Sequence, residues 1–150
     1  MYKRILVAID DSSCSMKALD EAINLSKALG AALCVAHAAD EGTLTHLGIG
    51  LENHLDIEKT KREIASASNA LLDAAVAKAA AAGCAAEKRH VESSRRRIAE
   101  MIADVAREWQ ADLVVVGTHG RRGFEAMLVG SVAENLVRIA PTSLMLVREA

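Results

Sequence analysis

Short, almost continuously apolar runs punctuate this chain of 150 residues, and longer stretches with apolar residues at helical spacing lie between them. That alternation restricts the fold more than any other feature. The runs span Arg4 to Asp10, Leu33 to Ala38, Glu87 to Val91, Asp112 to Gly117 and Ser143 to Val147. A strand with one wet face alternates apolar and polar side chains; most of these runs do not, as expected of strands covered on both faces. Between them, Ser13 to Leu29 places Met16, Leu19, Ile23 and Leu29 on one stripe, with Gly30 at its stop. An alanine-rich helical stretch from Leu55 to Ala82 ends at Gly83. Arg95 to Gln110 carries Ile98, Met101, Ile102, Val105 and Trp109 at three- and four-residue steps, and Ser131 to Ala140 is the shortest helical segment. The pattern predicts a doubly wound α/β domain, a five-stranded parallel sheet with helices on both faces and right-handed crossovers. In such sheets a ligand sits beyond the carboxyl ends of the strands, where the winding reverses.

The interior has to be built from small aliphatic side chains, because hydrophobic residues make up 51% of the chain and aromatics only 2%. No Pro-rich or Ser-rich linker divides the sequence and its one proline is Pro141, so residues 1–150 are expected to form a single domain. A formal net charge of -2 argues against nucleic-acid binding, which needs a clustered basic surplus. The local exception, Arg95 to Arg97, reads as a solvated helix start. Three cysteines, Cys14, Cys34 and Cys84, make no CxxC pair and suit neither a disulfide framework nor a zinc knuckle, which implies a reducing compartment. The apolar run Ile5 to Ile9 is cut off by Asp10 and Asp11, too short for a signal peptide or a membrane span. A cytoplasmic protein without membrane contact is expected.

The fourth run leads directly into Gly117-Thr118-His119-Gly120-Arg121-Arg122-Gly123, and nine residues after Gly120 comes Gly130-Ser131 at the start of the last helical segment. Gly117 would let a ligand approach the strand end without a Cβ in the way, Gly120 would take a positive φ, and Gly130 would expose the amides that begin a helix. Such amides and the helix dipole favour a phosphate. Ser131-x-x-Glu134 also spells a capping box, which would satisfy the same amides from within the helix. A capping box by itself does not call for the glycines upstream or for Arg121 and Arg122 beside them. No Lys follows Gly130-Ser131 as a P-loop requires, and no G-x-G-x-x-G follows the first run, so a different nucleotide fold is indicated.

RILVAIDDS at the start, VVVGTHGRRGFEAMLVGSVAENLVRIAP near the end and the final LMLVR resemble the universal stress protein family over the whole chain. The glycine-serine element is similar to that of the family's ATP-binding branch. The resemblance implies strand order 3-2-1-4-5, with the first and fourth strands adjacent at the reversal and Asp10 facing Gly117 across the crevice. It implies ATP as the ligand: Asp10 at the ribose, Ala8 and Ile9 beside the adenine, and Ala38 offering backbone to the adenine edge. Gly117 falls beside the ribose, while Gly120, Gly130, Ser131 and the Val132 amide fall on the phosphates, with Arg121 at a position often basic in the family. Mg²⁺ would ride on the phosphates without a protein cage of its own. Where the family commonly has a glycine after the third strand, this chain has Glu92, an acidic group unhelpful near phosphates.

Each assignment has a plainer counterpart: Asp10, Asp11 and Ser12 as helix caps, Ala8 and Ile9 as buried strand residues. His119 lies in the glycine loop, within reach of a phosphate or simply in a turn. His37 resembles a histidine frequent in the family's second strand. His46 lies within, and His54 directly after, a Gly-containing stretch, Asp40 to Asn53, read as a flexible surface loop over the site, and their spacing fits no usual metal-ligand set. Cys14 lies at a helix start, where a thiolate is favoured, or serves as a small helical residue. No nucleophile, base and orienting group can be placed together, so nothing in the sequence requires catalysis beyond slow hydrolysis of bound ATP. The family resemblance implies an ATP-binding sensor or regulator that acts on a protein partner in the stress response. A slow ATPase or phosphotransfer enzyme, or a nucleotide-free dimer, is the alternative. Ser143 to Val147, an apolar edge strand, is expected to pair with a second copy in a homodimer, as the family resemblance also implies.

Overall fold

The computed structural model describes residues 1–39, 57–93, 95–119 and 129–149. Within them are the strands β1 (Arg4–Ala8), β2 (Ala32–Ala39), β3 (Ala86–Glu92), β4 (Leu113–Gly117) and β5 (Ser143–Val147). The helices are α1 (Ser13–Leu29), α2 (Ile57–Ala81), α3 (Ile98–Glu108) and α4 (Ser131–Ile139). Every pairing is parallel and the order is β3-β2-β1-β4-β5. The chain winds outward from β1 to β3, returns to lay β4 beside β1, and continues to β5. The winding therefore reverses between β1 and β4.

Alternation of side chains along the strands feeds two cores. Ile5, Val7, Ile9, Leu33, Val35, Leu113 and Val115 pack with Ala18, Leu19 and Ala22 of α1 and Leu72 and Ala75 of α2. Leu6, Ala8, Cys34, Ala36, Val114 and Val116 point the other way, onto Met101, Ile102 and Val105 of α3 and Leu136 of α4. The central strands are covered on both faces, which is why their sequences do not alternate. β3 is an edge strand with Glu87, Lys88 and Arg89 exposed, and Lys88 Nζ reaches Asp73 of α2 at 2.6 Å. Charge along an edge discourages pairing with another chain. β5, the other edge, presents half-buried Leu144, Met145 and Leu146 instead.

Helix ends follow local chemistry. Ser12 caps α1, its hydroxyl accepting the Ser15 N–H, and Gly30 ends the helix at φ 64, with its N–H donated to Ser26 O. α3 begins at Ile98, later than the spacing suggests, because Arg97 is extended (φ -74, ψ 148) and forms the N-cap. Arg96 beside it pairs with Glu100 and Asp104 on the helix surface. Among the described residues no helix is long and apolar enough to cross a membrane.

At the amino end of the sheet, Asp112 ties β1 to β4. Its carboxylate accepts the Lys3 and Arg4 N–H groups at 2.8 and 3.0 Å, and its own N–H donates to Arg4 O at 2.9 Å. Burial opposes ionisation of this carboxyl, but the Arg4 and Lys3 amides outweigh it and hold the pKa below the usual value. Asp112→Ala is expected to cost about 1–2 kcal/mol at neutral pH, read by urea denaturation. A lowered pKa contributes stability above the unfolded value of about 4 and loses it as the pH falls through the folded value. Wild type and variant should therefore converge in acid, and a gap of constant size would contradict this account.

Candidate functional site at the sheet reversal

Val7 lies opposite Val115, so the segments leaving β1 and β4 emerge side by side at the carboxyl end of the sheet. They then part, since α1 covers one face and α4 the other. A crevice at such a point is the usual ligand position of a doubly wound sheet.

On the β1 side, the Ile9 N–H donates to Ala36 O at 2.9 Å before the chain turns at Asp10. Asp10 Oδ1 accepts the Ser12 N–H at 2.8 Å. The Asp10 N–H donates to Ser15 Oγ at 3.0 Å, and the same hydroxyl donates to Asp10 O at 2.7 Å. The backbone of Asp10 is therefore pinned, and the cap of α1 is Ser12 rather than Asp10. Among the described residues the second carboxylate oxygen, Oδ2, has no partner.

On the β4 side, the first turn of α1 presses against Gly117. A Cβ on Gly117 would lie 2.9 Å from Cys14 Sγ, 3.0 Å from its carbonyl carbon and 3.1 Å from its carbonyl oxygen. The sequence suggests that this missing Cβ makes way for a ligand; in the structure Cys14 takes the space. The Cys14 thiol, 2% exposed, donates to Val147 O at 3.4 Å. That carbonyl also accepts the Thr118 N–H at 2.9 Å, and Thr118 O accepts the Gly130 N–H at 2.5 Å. Thr118 Oγ1 lies 3.1 Å from His119 Nδ1 and 3.9 Å from Cys14 Sγ. Thr118 therefore joins the ends of β4 and β5 to the starts of α1 and α4, a role that nothing in its residue type signals.

Gly130 is the N-cap of α4, extended at φ -71, ψ 164, and its carbonyl accepts the Glu134 N–H at 2.9 Å. The capping box does not form. Ser131 is already the first helical residue, Glu134 pairs with Arg138 at 3.5 Å, and among the described residues no side chain caps the helix. The Gly130 N–H is spent on Thr118, which leaves the Ser131, Val132 and Ala133 amides at the positive end of the helix dipole.

Ala8, Ala36 and Ala38 share one core with Val116 and Ala133, whereas Ile9 packs in the opposite core. Of the residues expected beside an adenine, Ala8 and Ala38 thus lie on one face and the Ile9 side chain on the other. Gly120 and Arg121 lie outside the described residues, as do His46, His54 and the stretch Asp40 to Asn53. His37 is buried, 2.7 Å from Ser68 Oγ of α2 and stacked on His90 with ring centroids 6.0 Å apart. Glu92 Oε2 is 3.5 Å from His90 Nε2, so this acidic group belongs to the His37–His90 cluster on the α2 side. Burial, then the neighbouring Glu87, pushes the Cys34 thiol up to about 11 and keeps it protonated.

These features define a class: a doubly wound α/β domain in which the start of the last helix, without a side-chain cap among the described residues, is held at the end of the fourth strand beside the sheet reversal. The sequence profile of the universal stress protein family matches residues 1–148, and the chain belongs to that family. It is 32% identical over 151 residues to the universal stress protein YxiE of Bacillus subtilis, covering 99% of this chain and 100% of the relative. A solved universal stress protein in complex with cAMP is 28% identical, with a TM-score of 0.71 and 99% of each chain covered. The fold also matches hypothetical protein MJ0577, whose structure was used to assign its biochemical function, at TM-score 0.83 and 19% identity, covering 100% of this chain and 98% of that one.

The packing at Gly117 sets a direct test. Gly117→Ala pushes a methyl group into the backbone of Cys14, so it should destabilise the fold by about 1–3 kcal/mol in denaturant unfolding. An unchanged unfolding midpoint would show that α1 does not depend on this contact.

Proposed function

We propose that this protein binds ATP with Mg²⁺ at the β1/β4 reversal and acts in the cytoplasm as a nucleotide-dependent regulator of a protein partner in the stress response. The observation that carries the reading is the start of α4, held at the end of β4 by Thr118 and without a side-chain cap among the described residues. Three backbone amides and the helix dipole at that point suit a phosphate chain. Asp10 Oδ2 suits a ribose hydroxyl, and Ala8 and Ala38 leave room for a base. In this reading the Ser131 and Val132 amides and the Gly120 backbone take the phosphates, Gly130, whose own N–H is held by Thr118, lets them approach by carrying no side chain, and Arg121 adds charge. Gly117 lies beside the ribose, with Ile9 contributing its backbone near the adenine. The relative in complex with cAMP supports a nucleotide ligand. Mg²⁺ rides on the phosphates, and among the described residues no three metal-ligating side chains converge to hold it separately. Free, buried Cys14, Cys34 and Cys84 agree with a reducing compartment.

Gly130→Asp separates this reading from a purely structural loop. The extended backbone of Gly130 accepts any residue, and aspartate is a better N-cap than glycine by a few tenths of a kcal/mol, roughly. The variant should keep or raise its melting temperature while calorimetry shows ATP binding lost, because a carboxylate now occupies the phosphate position. Undiminished ATP affinity would refute the phosphate assignment.

The regulator is a homodimer in this reading, paired through Ser143–Val147. Among the described residues β5 is an edge strand with one row of backbone groups unpaired in the sheet, Leu144, Met145 and Leu146 are only half-buried, and Val137 of α4 is 62% exposed. Two copies related by a two-fold axis would satisfy both edges at once. Met145→Lys should shift the mass in light scattering from dimer toward monomer. A wild type already monomeric at micromolar concentration would contradict the pairing.

A further inference from the structure

Ser15 lies in the first turn of α1 and is 5% exposed, a buried hydroxyl where alanine, the best helix former, would also fit. The helix does not need it as a cap. Ser12 already has that role, its own hydroxyl accepting the Ser15 N–H at 3.2 Å. The Ser15 hydroxyl turns instead to the segment before the helix, where the chain leaves the sheet after the Ile9 N–H has bonded to Ala36 O. A strand that leaves its sheet exposes backbone groups that need partners. Ser15 Oγ accepts the Asp10 N–H at 3.0 Å and donates to Asp10 O at 2.7 Å, with Ser12 O a second acceptor at 3.2 Å. One side chain thus grips both backbone groups of Asp10. The Ser12 N–H then fixes the carboxylate by donating to Oδ1 at 2.8 Å, and among the described residues only Oδ2 is left without a partner.

We propose that Ser15 is a positioning residue for the ribose end of the crevice: its hydroxyl clamps the backbone of Asp10 so that Oδ2 is aimed to accept a hydrogen bond from a ribose hydroxyl. The inference rests on the nucleotide reading above and adds to it the side chain that aims the carboxylate. A carboxylate accepts and a sugar hydroxyl donates, so the pair is matched in kind. An acceptor already held in place loses little freedom when the sugar arrives. Ser15 acts through Asp10 alone, and its effect is confined to the ribose hydroxyls.

The test compares ATP with 2′,3′-dideoxy-ATP, which keeps the base and the triphosphate and lacks both ribose hydroxyls, by calorimetry in the presence of Mg²⁺. The wild type should prefer ATP about fivefold, and Asp10→Ala should erase that preference. Ser15→Ala removes the clamp and keeps both Asp10 and Ser12. It should cut the preference to below about twofold while the affinity for dideoxy-ATP holds. Both affinities are read on one sample, so a smaller folded fraction cancels in their ratio. The double variant should be no less selective than Asp10→Ala alone. A Ser15→Ala protein that keeps the wild-type preference, at full or at uniformly reduced affinity, would overturn the proposal while leaving the ribose assignment standing. A wild type that binds both nucleotides equally would instead remove the ribose reading of Asp10, and one that binds neither would remove the nucleotide reading, and this inference with either.

Discussion

The contact of the first turn of α1 with the end of β4 governs the geometry of everything around it. Because Gly117 has no Cβ, Cys14 lies against the strand, and its thiol reaches Val147 O at the end of β5. Because α1 lies so close, Asp10, in the turn just before it, is held at the mouth of the same crevice by Ser12 and Ser15. Thr118, buried beneath this contact, anchors Gly130 and so fixes where α4 begins. Segments far apart in sequence are brought to one point by a close-packed junction that tolerates little added volume.

The reversal point between β1 and β4 is a consequence of winding and not of any single side chain. A parallel strand cannot follow its predecessor without a crossover, and right-handed crossovers put successive helices on one face until the direction of progression changes. Here the change comes between β1 and β4, with α1 and α2 on one side and α3 and α4 on the other. The alanine-rich composition serves the same end. Ala8, Ala36 and Ala38 put little side-chain bulk on the α3/α4 face of the strand ends, so the two helices pack close to the sheet there.

The sheet was legible because its central strands are covered on both faces, so that Ile5 to Ile9 and Leu113 to Val116 read as unbroken apolar runs. Edge strand β3, with Glu87, Lys88 and Arg89 exposed, has the weakest apolar pattern of the five, because it is not covered on both faces as the central strands are. Local signals worked where the cause was local, as at Gly30, and failed where it was not. Gln110 ends α3 at φ 57 without a glycine to announce it. The Ser131-x-x-Glu134 motif is present, yet the N-cap falls on Gly130, whose N–H is held by Thr118 from the end of β4. Gly117 was recognisable as a place of close approach, but its partner, Cys14, is a residue from the other end of the chain. Thr118 carried no signal, since a buried threonine beyond a strand looks like any other.

The central claim is that the α4 helix start and the end of β1 form one nucleotide site. Titration of isotopically labelled protein with ATP and Mg²⁺, followed by backbone amide resonances, tests it most directly. The account places the large shifts at Ser131, Val132, Asp10 and Ala38, with Lys3, Arg4 and Asp112 at the opposite end of the sheet unmoved. Saturating ATP that leaves the Ser131 and Val132 amides in place, or that moves residues at the amino end of the sheet instead, would contradict it.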